Sequence, residues 1–293
     1  MQVITTVREM MSMHEGWSAT PGLGFVPTMG YLHEGHLSLV RQARQENKVL
    51  AASIFVNPTQ FGPHEDLATY PRDVPRDLQL LEEAGVDLVF LPNTEDIYPP
   101  GYVTYVEPTG PLMNEGEGAS RPGHFRGVAT IVLKLFQIVR PTLAYFGQKD
   151  AQQVAVISHM VRDLNLPVQI RVLPTIREAD GLAMSSRNAY LKGADRKAAG
   201  VLYRALQAGR AAFDTYPGGN VERAIQAMTE TVQAEPLAHL DYAQIRDPES
   251  FLPKETLTAP ALLLIAARVG PARLIDNFLL RADGSWDTGV LAV

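Results

Sequence analysis

Residues 24–36 read GFVPTMGYLHEGH, and apolar side chains follow at helical spacing, at Leu37 and Val40. The apolar start of this stretch predicts a buried strand, and the spacing after it predicts a helix. His33 and His36 are three residues apart, so they share one face of the first helical turn. Unpaired backbone N–H groups and the positive end of the helix dipole lie at such a turn, which favours a phosphate ligand.

The paired histidines have two other interpretations. One histidine could cap the helix while the other lies on the surface, or the pair could bind a metal. The zinc-protease pattern places its histidines four residues apart and adds a catalytic glutamate, whereas His33 and His36 are three apart. Zinc is therefore disfavoured, and a nucleotide triphosphate is the predicted ligand.

A second element strengthens the nucleotide prediction. Residues 184–188 read MSSRN and follow the apolar segment 168–176. Ser185, Ser186 and Arg187 supply two hydroxyls and a guanidinium, which suit the negative charge that develops as pyrophosphate leaves. Together the two elements resemble the HIGH and KMSKS motifs of the nucleotidyltransferase superfamily, which includes class I aminoacyl-tRNA synthetases.

Four motifs in a fixed order narrow this resemblance. They are residues 27–36, PTMGYLHEGH; 55–62, FVNPTQFG; 147–153, GQKDAQQ; and 184–188, MSSRN. In this order they resemble the pantoate–β-alanine ligase family, and the likeness runs from about Val3 to the C-terminus. The resemblance implies ATP-dependent condensation of pantoate with β-alanine through a pantoyl adenylate, with release of AMP and pyrophosphate.

The same resemblance implies a role for each motif residue. The implied catalytic residues, which act on the triphosphate and the transferring phosphate, are His33, His36, Lys149, Ser185, Ser186 and Arg187. Further ATP contacts are implied for Met29, Gly147, Asp150 and Met184, and pantoate contacts for Gln60, Gln153 and Arg121. Mg²⁺ is expected to travel largely with the phosphates, and Asp77 is the one candidate contact from the protein.

Several of these residues also have a purely structural interpretation. Gln60 lies in a stretch that could simply be a turn ending a strand, and Lys149 alone would be a solvated lysine. Asp150 could cap the helix that follows, since Asp favours that position. Arg121 lies in a Gly- and Pro-rich loop, and most such loops are merely exposed. Residues 184–187 could be only a hinge between domains.

The alternation of short apolar runs with amphipathic runs predicts an α/β protein. Predicted strands cover residues 23–26, 49–56, 86–91 and 143–146, and predicted helices cover 37–46, 75–84, 128–139 and 151–164. This rhythm predicts a doubly wound, Rossmann-like parallel sheet over residues 1–175, with ligands at the carboxyl ends of its strands. The family resemblance implies that these ligands are the nucleotide and pantoate.

The rhythm changes in the remainder of the chain. Helices are predicted near residues 194–213 and 221–234, and strands near 241–245, 262–269 and 273–279. Helices followed by strands indicate a smaller α+β domain. We interpret residues 176–293 as a C-terminal α+β lid domain that carries residues 184–188.

Composition and charge disfavour several classes of protein. Hydrophobic residues make up 46% of the 293 residues, enough for a sizeable core. The net charge of −6 disfavours nucleic acid as a partner and therefore argues against a role in charging tRNA. Cysteine is absent, and neither an apolar leader nor a stretch of about 18 uncharged apolar residues occurs. We therefore expect a cytoplasmic protein without membrane contact, and the resemblance adds the expectation of a homodimer.

Two other functions remain open. A cytidylyl- or adenylyltransferase would share the paired histidines and a downstream Ser/Arg loop, but it would transfer the nucleotide to a phosphorylated substrate and stop. The uncharged Gln60 and Gln153 argue against this, because a phosphorylated substrate calls for Lys or Arg. A non-catalytic nucleotide sensor is also compatible with such a fold.

Overall fold

The computed structural model describes residues 1–13 and 22–292. The chain divides into two compact units. The first contains residues 1–147 and 156–173, and the second contains residues 148–155 and 174–293.

The first unit is built on a six-stranded sheet in which every neighbouring pair of strands is parallel. Its strands are β1 (Gln2–Ile4), β2 (Leu23–Thr28), β3 (Val49–Ile54), β4 (Leu88–Phe90), β5 (Leu143–Gly147) and β6 (Gln169–Leu173). The order across the sheet is β1-β4-β3-β2-β5-β6. The chain moves from β2 through β3 to β4 on one side and reaches β5 and β6 on the other. Ligands of open parallel sheets bind where the order reverses in this way, at the carboxyl ends of the strands, here of β2 and β5.

Helices connect and cover these strands. They are α1 (Val7–Ser12), α2 (Glu34–Glu46), α3 (Val74–Glu83), α4 (Thr94–Ile97), α5 (Pro111–Asn114), α6 (Gly116–Ser120), α7 (His124–Val139) and α8 (Ala151–Asp163), which spans the division between the units. The amphipathic helix α2 buries Leu39, Val40 and Ala43, in a core cluster that also contains Val26 of β2 and Leu50 of β3. This packing fixes the end of β2 relative to the start of α2.

The second unit combines helices with a four-stranded antiparallel sheet. Its elements are β7 (Ile176–Arg177), α9 (Gly193–Ala198), α10 (Val201–Thr215), α11 (Val221–Gln233), β8 (Ala238–Arg246), β9 (Ala261–Val269), β10 (Ala272–Leu280), β11 (Trp286–Asp287) and β12 (Val290–Leu291). The sheet order is β11-β10-β9-β8, and β12 pairs with β7 in a separate parallel ladder. Helices α10 and α11 share one apolar cluster with alternate residues of β9 and β10.

The predicted fold class is confirmed, with local differences. The three-residue β1 carries too short a pattern to be predicted, although it pairs with β4 at the sheet edge. The run predicted as one helix near residues 194–213 is two helices, α9 and α10, separated at Ala199 and Gly200. Glycine has a low helix propensity, which favours a break there.

Candidate active site

The paired histidines form a reciprocal cap at the start of α2. His33 is the N-cap residue, and its Nδ1 accepts a hydrogen bond from the backbone N–H of Gly35 at 3.1 Å. His36 Nδ1 accepts from the backbone N–H of His33 at 3.3 Å. The ring centroids are 4.1 Å apart. Imidazole nitrogens thus perform the exchange that Ser/Thr and Glu side chains perform in a capping box.

This cap determines which nitrogen of each ring carries the proton. Because Nδ1 of both His33 and His36 accepts a backbone N–H, Nδ1 cannot itself bear hydrogen. The proton of each neutral imidazole therefore lies on Nε2, which makes both Nε2–H groups donors. Two donors at a helix N-terminus are suited to phosphate oxygens.

The loop between β2 and α2 is held in place by α3. Asp77 is fully buried, and its two carboxylate oxygens accept the backbone N–H groups of Tyr31 at 2.6 Å and Leu32 at 2.7 Å. Arg76 donates to the Leu32 carbonyl at 2.9 Å. Burial raises the pKa of Asp77 above its usual range, and the two N–H donors oppose that shift.

Gly30 is required in this loop. Its φ of +81° is unfavourable for other residues, and a Cβ there would lie 3.0 Å from both Asp77 Oδ2 and Ile54 Cγ2. The loop forms one wall of a cleft of about 330 Å³ in the first unit. The cleft is lined by residues 29–31, 54–56, 72–74, 77 and 91–94. It therefore lies at the carboxyl ends of β2, β3 and β4.

A chain of hydrogen bonds orients the amide of Gln60. Burial raises the pKa of Tyr98 to about 12, so its hydroxyl stays protonated and donates to Asn57 Oδ1 at 2.8 Å. The Nδ2 of Asn57 then donates to Gln60 Oε1 at 3.0 Å and to the Gly127 carbonyl at 3.2 Å. Gln60 Nε2 lies 3.3 Å from Met29 Sδ. The amide thus presents its NH₂ group, a donor, on the Met29 side.

Arg121 and His124 hold the backbone of the same residue. Arg121 makes a bidentate ion pair with Glu65, in which both N···O distances are 2.7 Å. Arg121 also donates a hydrogen bond to the Gln60 carbonyl at 3.3 Å. His124 Nε2 lies 3.0 Å from Arg121 Nη1, which can only donate, so Nε2 accepts. The Nδ1–H of His124 then donates to the Gln60 carbonyl at 2.9 Å. Burial and the neighbouring Arg121 lower the pKa of His124 to about 4.

In the second unit, Lys149 lies in the 3₁₀ turn Gln148–Asp150 directly before α8. Its Nζ is 3.6 Å from Asp150 Oδ1. Gln153 lies on the first turn of α8, three residues after Asp150. The Asn277 side chain of β10 binds the backbone carbonyls of Gln148 and Lys149 at 2.9 Å each.

Residues 184–188 form a second short turn of this unit. Ser185 caps the 3₁₀ helix Ser186–Tyr190, and its Oγ accepts the Arg187 N–H at 3.3 Å. Asn188 donates to the Glu178 carboxylate at 2.9 Å and to the Ala183 carbonyl at 3.1 Å. The Met184 N–H donates to the Ile176 carbonyl at 2.9 Å, which closes the base of this loop.

The contacts of Asp77 bear on the predicted metal site. Within residues 1–13 and 22–292, no group of three or more His, Asp or Glu side chains is arranged to hold a metal ion. Both oxygens of Asp77 accept backbone N–H groups. This donor set does not make a protein cage for Mg²⁺, an ion that usually keeps waters and phosphate oxygens as ligands.

The structure brings some predicted residues together within each unit. His33 pairs with His36, Gln60 with Met29 and the Arg121 side chain, and Lys149 with Asp150. The sequence reasoning missed the supporting residues Glu65, Tyr98, His124, Asp276 and Asn277, and it gave Asn57 no role. Asn57 carried a local signal, since Asn before Pro is typical of a cap, whereas the others carried none.

Fold and site first define a class of protein. The parallel sheet, the capped histidine pair after β2 and the later Ser/Arg turn place the chain in the nucleotidyltransferase superfamily. None of the helices in the described part of the chain combines the length and the apolar composition that spanning a bilayer requires.

Sequence comparisons then identify the family. The family model described as Pantoate-beta-alanine ligase matches residues 2–279. A pantothenate synthetase of Herpetosiphon aurantiacus is 57% identical over 283 residues, which cover 96% of this chain and 100% of that protein. One from Chloroflexus aurantiacus is 55% identical over 288 residues, covering 97% of this chain and 100% of that protein. This chain belongs to the pantoate–β-alanine ligase family.

Solved structures support the same identification. A pantothenate synthetase of Thermus thermophilus is 52% identical, with a TM-score of 0.88, and covers 94% of this chain and 98% of its own. A pantoate-beta-alanine ligase of Francisella tularensis, described as complexed with beta-gamma ATP and beta-alanine, is 38% identical, with a TM-score of 0.79 and coverage of 95% and 97%. The chain is thus an ATP-dependent ligase that forms an amide bond, as predicted.

Proposed function

We propose that this chain makes pantothenate in two steps, with the residues named above in defined roles. In the first step a pantoate carboxylate oxygen attacks the α-phosphorus of ATP, the bond to the bridging oxygen breaks, and pyrophosphate leaves. In the second step the amine of β-alanine attacks the acyl carbon of the pantoyl adenylate, AMP leaves with the bonding electrons, and the amine loses a proton. A covalent enzyme intermediate is unnecessary, because the mixed anhydride is already activated.

The reciprocal cap of α2 is the observation that carries this proposal. His33 and His36 each carry an Nε2–H donor beside the positive end of a helix dipole. We assign both to the triphosphate, and Met29, Gly147, Asp150 and Met184 to further ATP contacts. We assign Lys149, Ser185, Ser186 and Arg187 to the transferring phosphate and pyrophosphate, where preorganised donors and cations stabilise developing charge.

Pantoate recognition is assigned to neutral amides. Gln60 offers its NH₂ group beside Met29, with an orientation set through Asn57 and Tyr98. An amide can donate to a carboxylate or hydroxyl without the excess ground-state binding that a cation would add. Gln153 is assigned to the same substrate. The Arg121 guanidinium is bound to Glu65, so we assign it to the support of Gln60 as much as to pantoate itself.

The remaining assignments rest mainly on membership of the family. Mg²⁺ is proposed to enter with ATP as part of the substrate, and the contact predicted for Asp77 stays a prediction. We propose residues 1–175 as the nucleotide- and pantoate-binding domain and residues 176–293 as the lid domain. A homodimer and a cytoplasmic location are proposed likewise, and light scattering of the purified chain would test the dimer.

An assay of the half-reactions tests the proposal. With ATP, Mg²⁺ and pantoate alone, pyrophosphate should appear as a burst of about one equivalent per active site, and AMP and pantothenate should follow when β-alanine is added. Pyrophosphate that appears only after β-alanine would contradict the adenylate. A product that retains the nucleotide would indicate a nucleotidyltransferase, and no turnover at all would indicate a sensor.

A further inference from the structure

Two adjacent polar residues lie in the middle of the mostly apolar strand β10. Asp276 and Asn277 are each 2% exposed and stand opposite Ile265 and Leu264 of β9. Asp and Asn are unfavourable in strands, and burying their polar groups destabilises a fold unless hydrogen bonds compensate. The hydrogen bonds of Asp276 and Asn277 must therefore compensate for the burial of their polar groups.

Asn277 binds the turn that carries Lys149. Its Nδ2 donates to the backbone carbonyls of Gln148 and Lys149 at 2.9 Å each, and its Oδ1 accepts from Gln148 Nε2 at 3.2 Å. Two hydrogen bonds to backbone carbonyls and one from the Gln148 side chain thus hold the turn from which the Lys149 side chain extends.

Asp276 binds the base of the loop that leads to residues 184–187. Its carboxylate forms a bidentate ion pair with Arg177, in which Nη1 donates to Oδ2 at 2.6 Å and Nη2 donates to Oδ1 at 2.9 Å. Arg177 also donates to the carbonyls of Gly181, Asn277 and Thr288. All five of its N–H groups are therefore used. Gly181 lies in the turn between β7 and the loop, so the ion pair fixes the start of that loop.

The two contacts lie on opposite faces of one strand, because successive side chains of a strand alternate. Asp276 shares its face with Leu274 and Phe278, which pack in the cluster with α10 and α11. Asn277 is on the other face. A single rigid strand thereby holds two catalytic elements that are remote from each other in sequence.

We propose that Asp276 and Asn277 are positioning residues of the ligase reaction, which hold the Lys149 turn and the 184–187 loop in one fixed relation. The inference rests on the proposed roles of Lys149 and of that loop. A misplacement of about 1 Å in a catalytic group is enough to lower a rate by about 100-fold. Neither Asp276 nor Asn277 is assigned a contact with substrate.

The first test is the variant Asn277→Leu, which keeps the branched shape and the number of heavy atoms of the side chain and removes its three hydrogen bonds. Single-turnover pyrophosphate release should slow by about 10- to 100-fold, while KM for ATP and pantoate changes by less than about twofold. In a Lys149→Ala background the same substitution should cause no further loss, because residues that act as a unit are not additive. Leu280→Ala, a buried substitution near the end of the same strand, is the control for general destabilisation.

The outcomes separate the two hypotheses. If Lys149→Ala slows the first step but Asn277→Leu slows it further in that background, positioning through Lys149 is wrong and the proposed function stands. If Lys149→Ala turns over normally, the role proposed for Lys149 and the positioning inference are both wrong, while the ligase activity itself stands. An Asn277→Leu enzyme with an unchanged rate, or a Leu280→Ala enzyme equally slow, would also overturn the inference.

A second variant addresses the Asp276 face while keeping the fold. Replacing both members of a buried ion pair by apolar residues often leaves stability unchanged, so Arg177→Met with Asp276→Leu should fold. It should slow pyrophosphate release by about 10-fold or more, and the loss should vanish in an Arg187→Ala background. A folded double variant with normal first-step rates would refute the positioning role.

Discussion

Truncation of Gln60 to alanine is the most direct probe of the pantoate assignment. Gln60 is 8% exposed, and its Oε1 accepts a hydrogen bond from Asn57, so the Nε2 side of the amide is the one that can donate to a ligand. One lost hydrogen bond to a charged carboxylate should weaken binding by about 1.5–3 kcal/mol, or about 10- to 150-fold in pantoate kcat/KM. The KM for ATP should change by less than about twofold, because the amide is not assigned to the nucleotide.

Folding should be only modestly affected in this variant. After truncation one N–H of Asn57 Nδ2 keeps the Gly127 carbonyl as acceptor at 3.2 Å, whereas the other loses Gln60 Oε1 and should lower the free energy of unfolding by about 1–3 kcal/mol. Gln60→Glu provides a second test, since it preserves length and the acceptor for Asn57 but replaces the donor by a negative charge, and it should impair pantoate use more than alanine does. Gln42→Ala, an exposed amide on α2 bound to Glu46, is the matched control.

The measurement is steady-state kinetics with each substrate varied in turn, together with thermal melting of every variant. A Gln60→Ala enzyme with unchanged pantoate kinetics and a raised KM for ATP would refute the pocket assignment.

Three further predictions concern the other site residues. Lys149→Ala should slow pyrophosphate release in a single turnover by about 100-fold or more without lowering Tm, and a folded variant with normal rates would contradict its assignment to the α-phosphate. His33→Asn should preserve helix capping, since Asn is among the best N-cap residues, yet slow adenylate formation by about 10-fold or more. A variant with a lowered Tm and an unchanged rate of adenylate formation would mean that the histidine only caps the helix. The pKa of His124 is about 4 in the folded protein and 6.5 for an ordinary histidine, so the unfolded chain binds the proton more readily. The contribution of His124 to stability is therefore fully present above pH 6.5 and is lost as the pH falls towards 4. Urea unfolding of His124→Gln should lose that part of the pH dependence, about 3 kcal/mol across the window, and an unchanged slope would exclude His124 as its source.

Local pattern was sufficient for the strands and helices that position the site. The spacing of apolar residues along the sequence predicts the β2–α2 junction, the helix α8 and the strands β9 and β10, because each pattern is contained in neighbouring residues. The paired histidines could be predicted for the same reason, since a spacing of three places them on one turn. The short strand β1 and the division of the run near residues 194–213 could not, because too few residues carry the signal.

Side-chain partners from distant parts of the chain depend on the tertiary structure. Asp77 reaches the Tyr31 N–H across 46 residues, and Asn277 reaches the Lys149 carbonyl across 128. Tyr98 reaches Asn57 across 41.

The sequence by itself thus determined the elements, the order of the motifs and the chemical groups available at the strand ends. Only the tertiary structure decided which nitrogen of each histidine donates, which way the Gln60 amide points and what holds Lys149 in place. Periodicity is a property of neighbouring residues, whereas hydrogen-bond direction depends on a partner that folding brings from elsewhere.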